Sequence, residues 1–220
     1  MITNPYRHAG AVGNGLLTGL QHYWDLGADV LDSAGSADLT DSGTTESTGT
    51  APDGGSARLF ASDNLQVAAG SVMASGTDVT IALWSKVTAS SPNMDMMYFN
   101  APVGNYHFLQ NRSGAAYLRW AMGGSIGGTP AVPLLNNWVC VVFKYESGVG
   151  TQLLVNNVSK GTSATVAAVF GSAIFYIGGA SGNYVGQIAS FGVWDHAFTA
   201  TEATAFYNSG SNLRYADLTS

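Results

Sequence analysis

GQIASFGVWDHAFTATEATAFYNSG (residues 186–210) changes its periodicity half-way along. The first half alternates as a β-strand does, whereas the second half, Thr199 to Asn208, carries a helical spacing of Phe198, Thr201, Ala205 and Phe206. Thr199 suits the N-cap of that helix, with Glu202 three residues on as its capping-box partner. A strand running into one short helix, in a chain otherwise made of strands and glycine turns, is the feature that decides the fold.

Outward from this stretch, strand candidates alternate with turn signals. They are SARLFA (56–61), NLQVAA (64–69), DVTIALWSKV (78–87), MDMMYFN (94–100), NYHFLQNR (105–112) and AAYLRWAM (115–122). NWVCVVFKYE (137–146), TQLLVNN (151–157), SAIFYIG (172–178) and YVGQIASFGVWD (184–195) follow. Short, evenly spaced strands of this kind indicate an antiparallel sandwich or jelly roll. Residues 1–19 lack either periodicity and read as an N-terminal arm; the domain spans 20–210 and a tail covers 211–220.

Two strands show their faces. In 79–87 the odd positions Val79, Ile81, Leu83 and Val87 are apolar, and the even ones Thr80, Ala82, Trp84 and Lys86 are mixed. In 138–145 Val139, Val141, Phe143 and Tyr145 oppose Trp138, Cys140, Val142 and Lys144. Successive residues of a strand point to opposite sides, so the apolar sets should meet between two sheets. For 105–122, a two-residue Ser113-Gly114 turn pairs Arg112 with Ala115. That register places Tyr106, Phe108, Gln110, Tyr117 and Arg119 on one face, and His107, Leu109, Leu118, Trp120 and Met122 on the core side.

Composition excludes several function classes. With 46% hydrophobic residues the chain can offset the entropy of ordering, yet only 10% are charged, so its polar surface is Ser, Thr, Asn, Gln and backbone. A net charge of −6 with eight Lys plus Arg argues against nucleic acid and against anionic membranes as partners. No run approaches the ~20 apolar residues of a membrane span, and MITNPYRHAGAVGNG shows no apolar segment of a Sec signal peptide. The single Cys140, inside WVCVVF, reads as a small buried hydrophobe.

The 186–210 stretch also resembles the closing signature of laminin-G-like, concanavalin A-like jelly rolls: G-x-I-x-x-F/V-x-V-W/Y-D/N, a helix around T/S-x-x-E, then Y-N-x-G. Here these are Gly186, Ile188, Phe191, Val193, Trp194 and Asp195, then Thr199 and Glu202, then Tyr207, Asn208 and Gly210. LQHYWDLGADVLDSAG is similar to the family's opening strand and aspartate turn, DVTIALWSKV to its F-T-I-S-x-W-V strand, and NNWVCVVFKYESGVGTQLLVNN to its W-x-H-V…L-Y-V-N-G pair. The resemblance implies an all-β, two-sheet antiparallel jelly-roll sandwich of concanavalin A-like type with one short C-terminal capping helix, in which Phe198 and Phe206 cover an open end. Two positions depart from the pattern: Ala189 and Ser190 stand where the family has an Asp, and His196 where it has an Arg.

Catalytic signals are absent from the sequence. Glycoside hydrolysis needs paired carboxylates about 5–10 Å apart; the three glutamates, Glu46, Glu146 and Glu202, lie in a loop, at a strand end and in the capping helix. There is no G-x-S-x-G, and GGSIGG (123–128) reads as a flexible loop and not a phosphate cradle. Related jelly rolls hold Ca²⁺ in loops such as DLGADVLDSAG, so Asp25, Asp29 and Asp32 are candidate calcium ligands, although Asp in turns usually accepts local backbone bonds. No other cofactor is expected.

The reading is therefore a non-enzymatic, lectin-like jelly roll acting as a structural or adhesive component of a phage particle surface, as capsid decoration or tail. The alternative is a cellular extracellular carbohydrate-binding module, with a polysaccharide-degrading enzyme behind it. The expected location is a virion surface or extracellular. The face formed by Tyr106, Phe108, Gln110, Tyr117 and Arg119, joined by Trp84, suits neutral glycans, because rings stack on sugar C–H faces while amide and guanidinium groups bond hydroxyls; Tyr and Arg equally suit a protein contact. In the arm, Tyr6, Val12, Leu16 and Leu17 are expected to anchor virion proteins or further copies of the chain.

Overall fold

The computed structural model of the protein describes residues 13–68, 72, 78–89, 94–99, 107–112, 117–122, 125–130, 135–164, 174–180 and 184–220. In chain order, helix α1 (Gly13–Leu16) precedes strands β1 (Leu20–Trp24), β2 (Thr40–Asp41), β3 (Thr45–Ser47), β4 (Ala57–Ala61) and β5 (Leu65–Ala68). Then come β6 (Val79–Val87), β7 (Met94–Phe99), β8 (His107–Arg112), β9 (Tyr117–Met122) and β10 (Ser125–Pro130). The last strands are β11 (Val139–Glu146), β12 (Gly150–Val155), β13 (Val158–Ser163), β14 (Ile174–Ile177) and β15 (Val185–Trp194), followed by α2 (Ala200–Tyr207) and α3 (Tyr215–Leu218).

Among the described residues the strands form two antiparallel sheets. The first runs β13-β12-β11-β6-β15-β4-β3 with β1 also beside β15, and the second runs β10-β9-β8-β7-β14-β5-β2. The expected two-sheet jelly-roll sandwich is the observed architecture.

The odd apolar positions of β6 and β11 meet Leu118, Trp120, Phe99, Phe175 and Ile177 of the second sheet in one core, as alternation requires. The even positions are also covered: Ala82, Trp84, Cys140 and Val142 lie in a second cluster with Leu16, Tyr23, Trp194, Phe198, Phe206, Leu213 and Leu218. The central strands β6 and β11 are thus buried on both faces, which is why they read as nearly continuous apolar runs. Burial pushes the Cys140 thiol well above its ordinary pKa, so it packs as the small hydrophobe the sequence implied. Lys144 lays its stem along this face and donates from Nζ to the Phe198 carbonyl at 3.0 Å.

Helix α2 therefore has a different task from the one its sequence suggested. Phe198 and Phe206 do not close an open end. They pack on Trp194, at ring distances of 4.6 and 5.7 Å, and roof the outer face of the first sheet. The capping box is formed: the Glu202 amide donates to Thr199 Oγ1, and the Thr199 amide to Glu202 Oε2 at 2.8 Å. His196, at the family's Arg position, reaches Glu202 Oε1 through Nε2 at 2.8 Å and braces the same box. Left-handed Asn208 ends the helix two residues before Gly210. Thr199→Ala is expected to cost about 1 kcal/mol, read as a shift in urea midpoint with the slope unchanged; an unshifted midpoint would show that the box contributes nothing.

The arm behaves differently from expectation. Leu16, read as an anchor for another chain, is fully buried in this chain's own outer cluster, and its carbonyl accepts from Trp194 Nε1 at 2.7 Å. The Asp195 amide donates to the Gly19 carbonyl at 2.9 Å, so residues 13–19 join the domain. Leu17 stays at the surface, 37% exposed, while Tyr6 and Val12 lie outside the described residues. The tail also belongs to the fold. Arg214 forms two bonds to Asp53, at 2.7 and 3.0 Å, and donates to the carbonyls of Asp25 and Ser56.

Strand β15 organises the first sheet by changing partner. Residues 185–188 pair with β4 and residues 191–194 with β1, while β6 runs along its other side. The register with β6 shifts between Ala189 and Gly192, where Ser190 adopts a left-handed φ of 53°. At the family's Asp position, buried Ser190 donates from Oγ to the Leu213 carbonyl at 2.5 Å and accepts from Asn212 Nδ2 at 2.8 Å, holding the tail over the bulge.

Candidate functional site

The second sheet carries its core residues inward and leaves an outer face built by β5, β14, β7, β8, β9 and β10. The β8–β9 register pairs Arg112 with Tyr117, Gln110 with Arg119 and Phe108 with Ala121. This differs by two residues from a two-residue turn at Ser113-Gly114, and the connecting residues 113–116 lie outside the described ones. A shift of two preserves facing, because the side-chain period is two. Leu118 and Trp120 are accordingly buried in the core, and positions 108, 110, 117 and 119 share the opposite face.

The remaining strands complete that face. Tyr98 stands opposite position 108 and also opposite Tyr176 of β14, which in turn faces Gln66 of β5. Gln66, Tyr176, Tyr98 and position 108 therefore form one row across four strands, with neighbours about 5 Å apart. A second row, one pleat along, contains Asp95, Gln110 and Arg119. Tyr98, Tyr176, Asp95 and Arg119 are half-buried between inward neighbours that are buried, and Gln66 is half-buried between buried Leu65 and partly buried Val67.

Tyr98, Tyr176, Asp95 and Gln66 were not singled out from sequence, and β7 shows why. In MDMMYF both Met96 and Met97 are buried, because the register with β8 shifts between Asp95 and Met97. A strict period of two would separate Asp95 from Tyr98, whereas the bulge returns both to the outer face. The two adjacent methionines between polar positions were the available signal. GGSIGG was likewise misread: residues 125–130 form strand β10, with Gly127 opposite Trp120 and Gly128 opposite Arg119. Pairing with β9 along its whole length orders backbone that glycine propensity alone would leave loose.

Trp84 does not belong to this face. It lies in β6 of the first sheet, 2% exposed, stacked on Tyr207 with ring centroids 6.0 Å apart. Its alternation was read correctly as opposite the core, but the cover over that side comes from α2, distant in sequence. Tyr106 lies outside the described residues, and position 107 alternates to the core side opposite buried Phe99.

The residues proposed for calcium do not fit an ion. Asp32 Oδ1 accepts from the amides of Tyr23, Ala34 and Gly35, and Oδ2 from the Ala37 amide and His22 Nδ1 at 2.5 Å. Asp29 Oδ1 takes the Leu31 amide and Asp25 Oδ1 the Tyr215 amide. The five bonds to Asp32 fill its carboxylate, and among the described residues no group of three or more His, Cys, Asp or Glu is arranged to hold a metal. The turn role of these aspartates is the one the geometry supports.

The other carboxylates are tied to structure as well. Burial pushes Asp32 up, but the bonds from His22 and the amides of Ala37, Tyr23 and Gly35 outweigh it and hold the carboxyl well below the usual range. Asp41, bonded to Thr44 and Arg58, and Asp53, bonded to Arg214, are lowered against burial in the same way. Asp25 goes the other way, raised by burial, and anchors the start of α3.

A family model, concanavalin A-like lectin/glucanases superfamily, matches residues 59–204. The chain belongs to this superfamily. Its fold is shared by domain 4 of the extracellular arabinanase AbnA from Geobacillus stearothermophilus, solved with arabinotriose: TM-score 0.69, 16% identity, covering 84% of this chain and 96% of that one. The binding domain of Paraclostridial Mosquitocidal Protein 1 superposes with TM-score 0.68 at 15% identity over 87% of this chain, which spans 52% of that domain. A Trypanosoma rangeli sialidase matches with TM-score 0.69 at 13% identity over 95% of this chain and 35% of the sialidase. No curated protein sequence matches. Among the described residues no helix is long and apolar enough to cross a membrane.

Proposed function

We propose that the protein is a non-catalytic, lectin-like binding module that takes a glycan on the outer face of its second sheet. The observation that carries this reading is the cross-strand row Tyr176, Tyr98 and position 108, flanked by the polar row Asp95, Gln110 and Arg119. The Tyr98 and Tyr176 rings, on adjacent strands, offer an apolar track to sugar C–H faces beside a row of polar positions. A domain of similar fold and nearly the same extent, solved in complex with arabinotriose, supports a sugar as the ligand class.

A binding role is favoured over hydrolysis by the carboxylates. Among the described positions of this face Asp95 is the single acid, where glycoside hydrolysis requires a pair. The setting we propose is the surface of a phage particle, in capsid decoration or tail, with virion proteins or further copies of the chain as partners. An extracellular cellular module is the alternative; mass spectrometry of purified particles separates the two.

Tyr98→Ala and Tyr176→Ala test the site. Each is expected to weaken glycan binding about tenfold, by loss of a stacking surface worth roughly 0.5–1.5 kcal/mol and of the area it buries. Thermal unfolding should shift little, since both rings are half-buried. Glycan-array signals that survive the double substitution would place binding elsewhere.

A further inference from the structure

The outer face of the second sheet changes character along its strands. The row of Gln66, Tyr176 and Tyr98 has the polar positions 95, 110 and 119 one pleat to one side. Strands β14 and β7 run antiparallel, so the step from Tyr176 back to Ile174 leads away from Asp95. On that other side Ile174 of β14 stands directly opposite Ala68 of β5. Strand β14 pairs with β5 residue for residue, so Ile174 points the same way as Tyr176, whereas Phe175 and Ile177 point into the core. Ile174 is 40% exposed, and Ala68 is exposed beside it.

A single exposed aliphatic side chain on a surface calls for no explanation. Ile174 is not single: it adjoins Tyr176 on its own strand, and Tyr98 stands directly across from Tyr176, so apolar surface continues over two strands. Strand propensity does not demand isoleucine here either, because Thr is equally β-branched and abundant in this chain. The position of Ile174 bears on what a bound sugar can present. A hydroxyl held against an aliphatic side chain gives up water without gaining a partner, whereas a methyl group there gains by leaving water. Ile174 lies two residues from Tyr176, about 7 Å along the strand. A substituent on a pyranose ring stacked over Tyr176 spans that gap when its methyl group meets the Ile174 side chain at about 4 Å.

Resting on the reading of this face as a glycan site, we infer that the sugar it prefers carries a methyl group, from an acetamido substituent or a 6-deoxyhexose, seated on Ile174 beside Tyr176. The experiment compares matched probes on the parent protein by calorimetry. Tri-N-acetylchitotriose is set against cellotriose, which has hydroxyls in place of the acetamido groups, and D-fucose against D-galactose, which has a hydroxymethyl group in place of the methyl. In at least one pair the methyl-bearing member is expected to bind about fivefold tighter or more; which pair responds tells the acetamido source from the deoxy source. Ile174→Thr keeps the β-branched backbone preference and should remove most of the discrimination, whereas Tyr176→Ala should weaken both members of the responding pair. The comparison of probes uses the unmodified chain, so it stands even if a variant folds poorly. Equal binding within both pairs, or tighter binding of the methyl-free members, overturns the inference and leaves the glycan reading intact. Discrimination that survives Ile174→Thr, or an Ile174→Thr loss that is the same for both members, also overturns it, because the methyl group then does not meet Ile174. Binding of neither member of either pair, together with an empty glycan array, overturns both readings.

Discussion

Trp194→Ala is expected to destabilise the protein by about 3–5 kcal/mol, the range for deleting a fully buried tryptophan. The ring is 0% exposed and holds three separate elements against the outer face of the first sheet. Phe198 lies 4.6 Å from it, Phe206 of α2 5.7 Å and Tyr23 of β1 6.3 Å. Its Nε1 donates to the carbonyl of Leu16 in α1. Removing it opens a cavity at the junction of all three and leaves that carbonyl without its donor. Equilibrium urea unfolding measures the loss, and limited proteolysis should show cleavage within residues 13–19 at a rate well above the parent's. A cost below about 1 kcal/mol, with the N-terminal segment as resistant as before, would mean that the outer layer is a loose cover and not part of the cooperative unit.

Asp32 gives the second large effect. Its carboxylate is buried, bonds His22 at 2.5 Å and collects four backbone amides of the 22–37 region. Asp32→Ala strands those donors and is expected to cost about 3–5 kcal/mol, as for a broken buried pair. The pH dependence follows from the direction of its shift. A carboxyl held below its ordinary range in the folded state binds fewer protons there than in the unfolded chain, so its stabilisation is complete above about pH 4, the unfolded value, and falls as pH drops below it. Asp32→Asn lacks this component. The stability gap between parent and Asp32→Asn should therefore be widest at pH 7 and narrow steadily toward pH 2.5 in urea titrations. A gap that is constant with pH would show that Asp32 is not ionised in the native state.

Much of the fold was legible because its signals are local. The change of period in 186–210, the Thr199–Glu202 box and the alternation of 79–87 and 138–145 each follow from a few consecutive residues, and the structure repeats them. What was not legible depends on residues far apart in the chain. Trp84 sits opposite the core as alternation implied, but only the return of α2 and Tyr207 over β6 makes that side an interior. Leu16 looked like an anchor for another chain because its partners, Trp194 and the tail, are about 180 residues away. The outer face of the second sheet was legible by half. Residues Phe108, Gln110, Tyr117 and Arg119 could be grouped by parity within one hairpin, whereas Tyr98, Tyr176 and Asp95 required a bulge and a strand order that no local pattern encodes.

The most direct test of the account is hydrogen–deuterium exchange of the parent protein with and without the tightest-binding glycan from an array. Protection is expected in peptides covering residues 94–99, 107–112, 117–122 and 174–177, with the 25–37 loop and the α2 layer unchanged. Protection confined to the loop or to the α2 layer, or an array on which no glycan binds, would contradict a binding face on the second sheet.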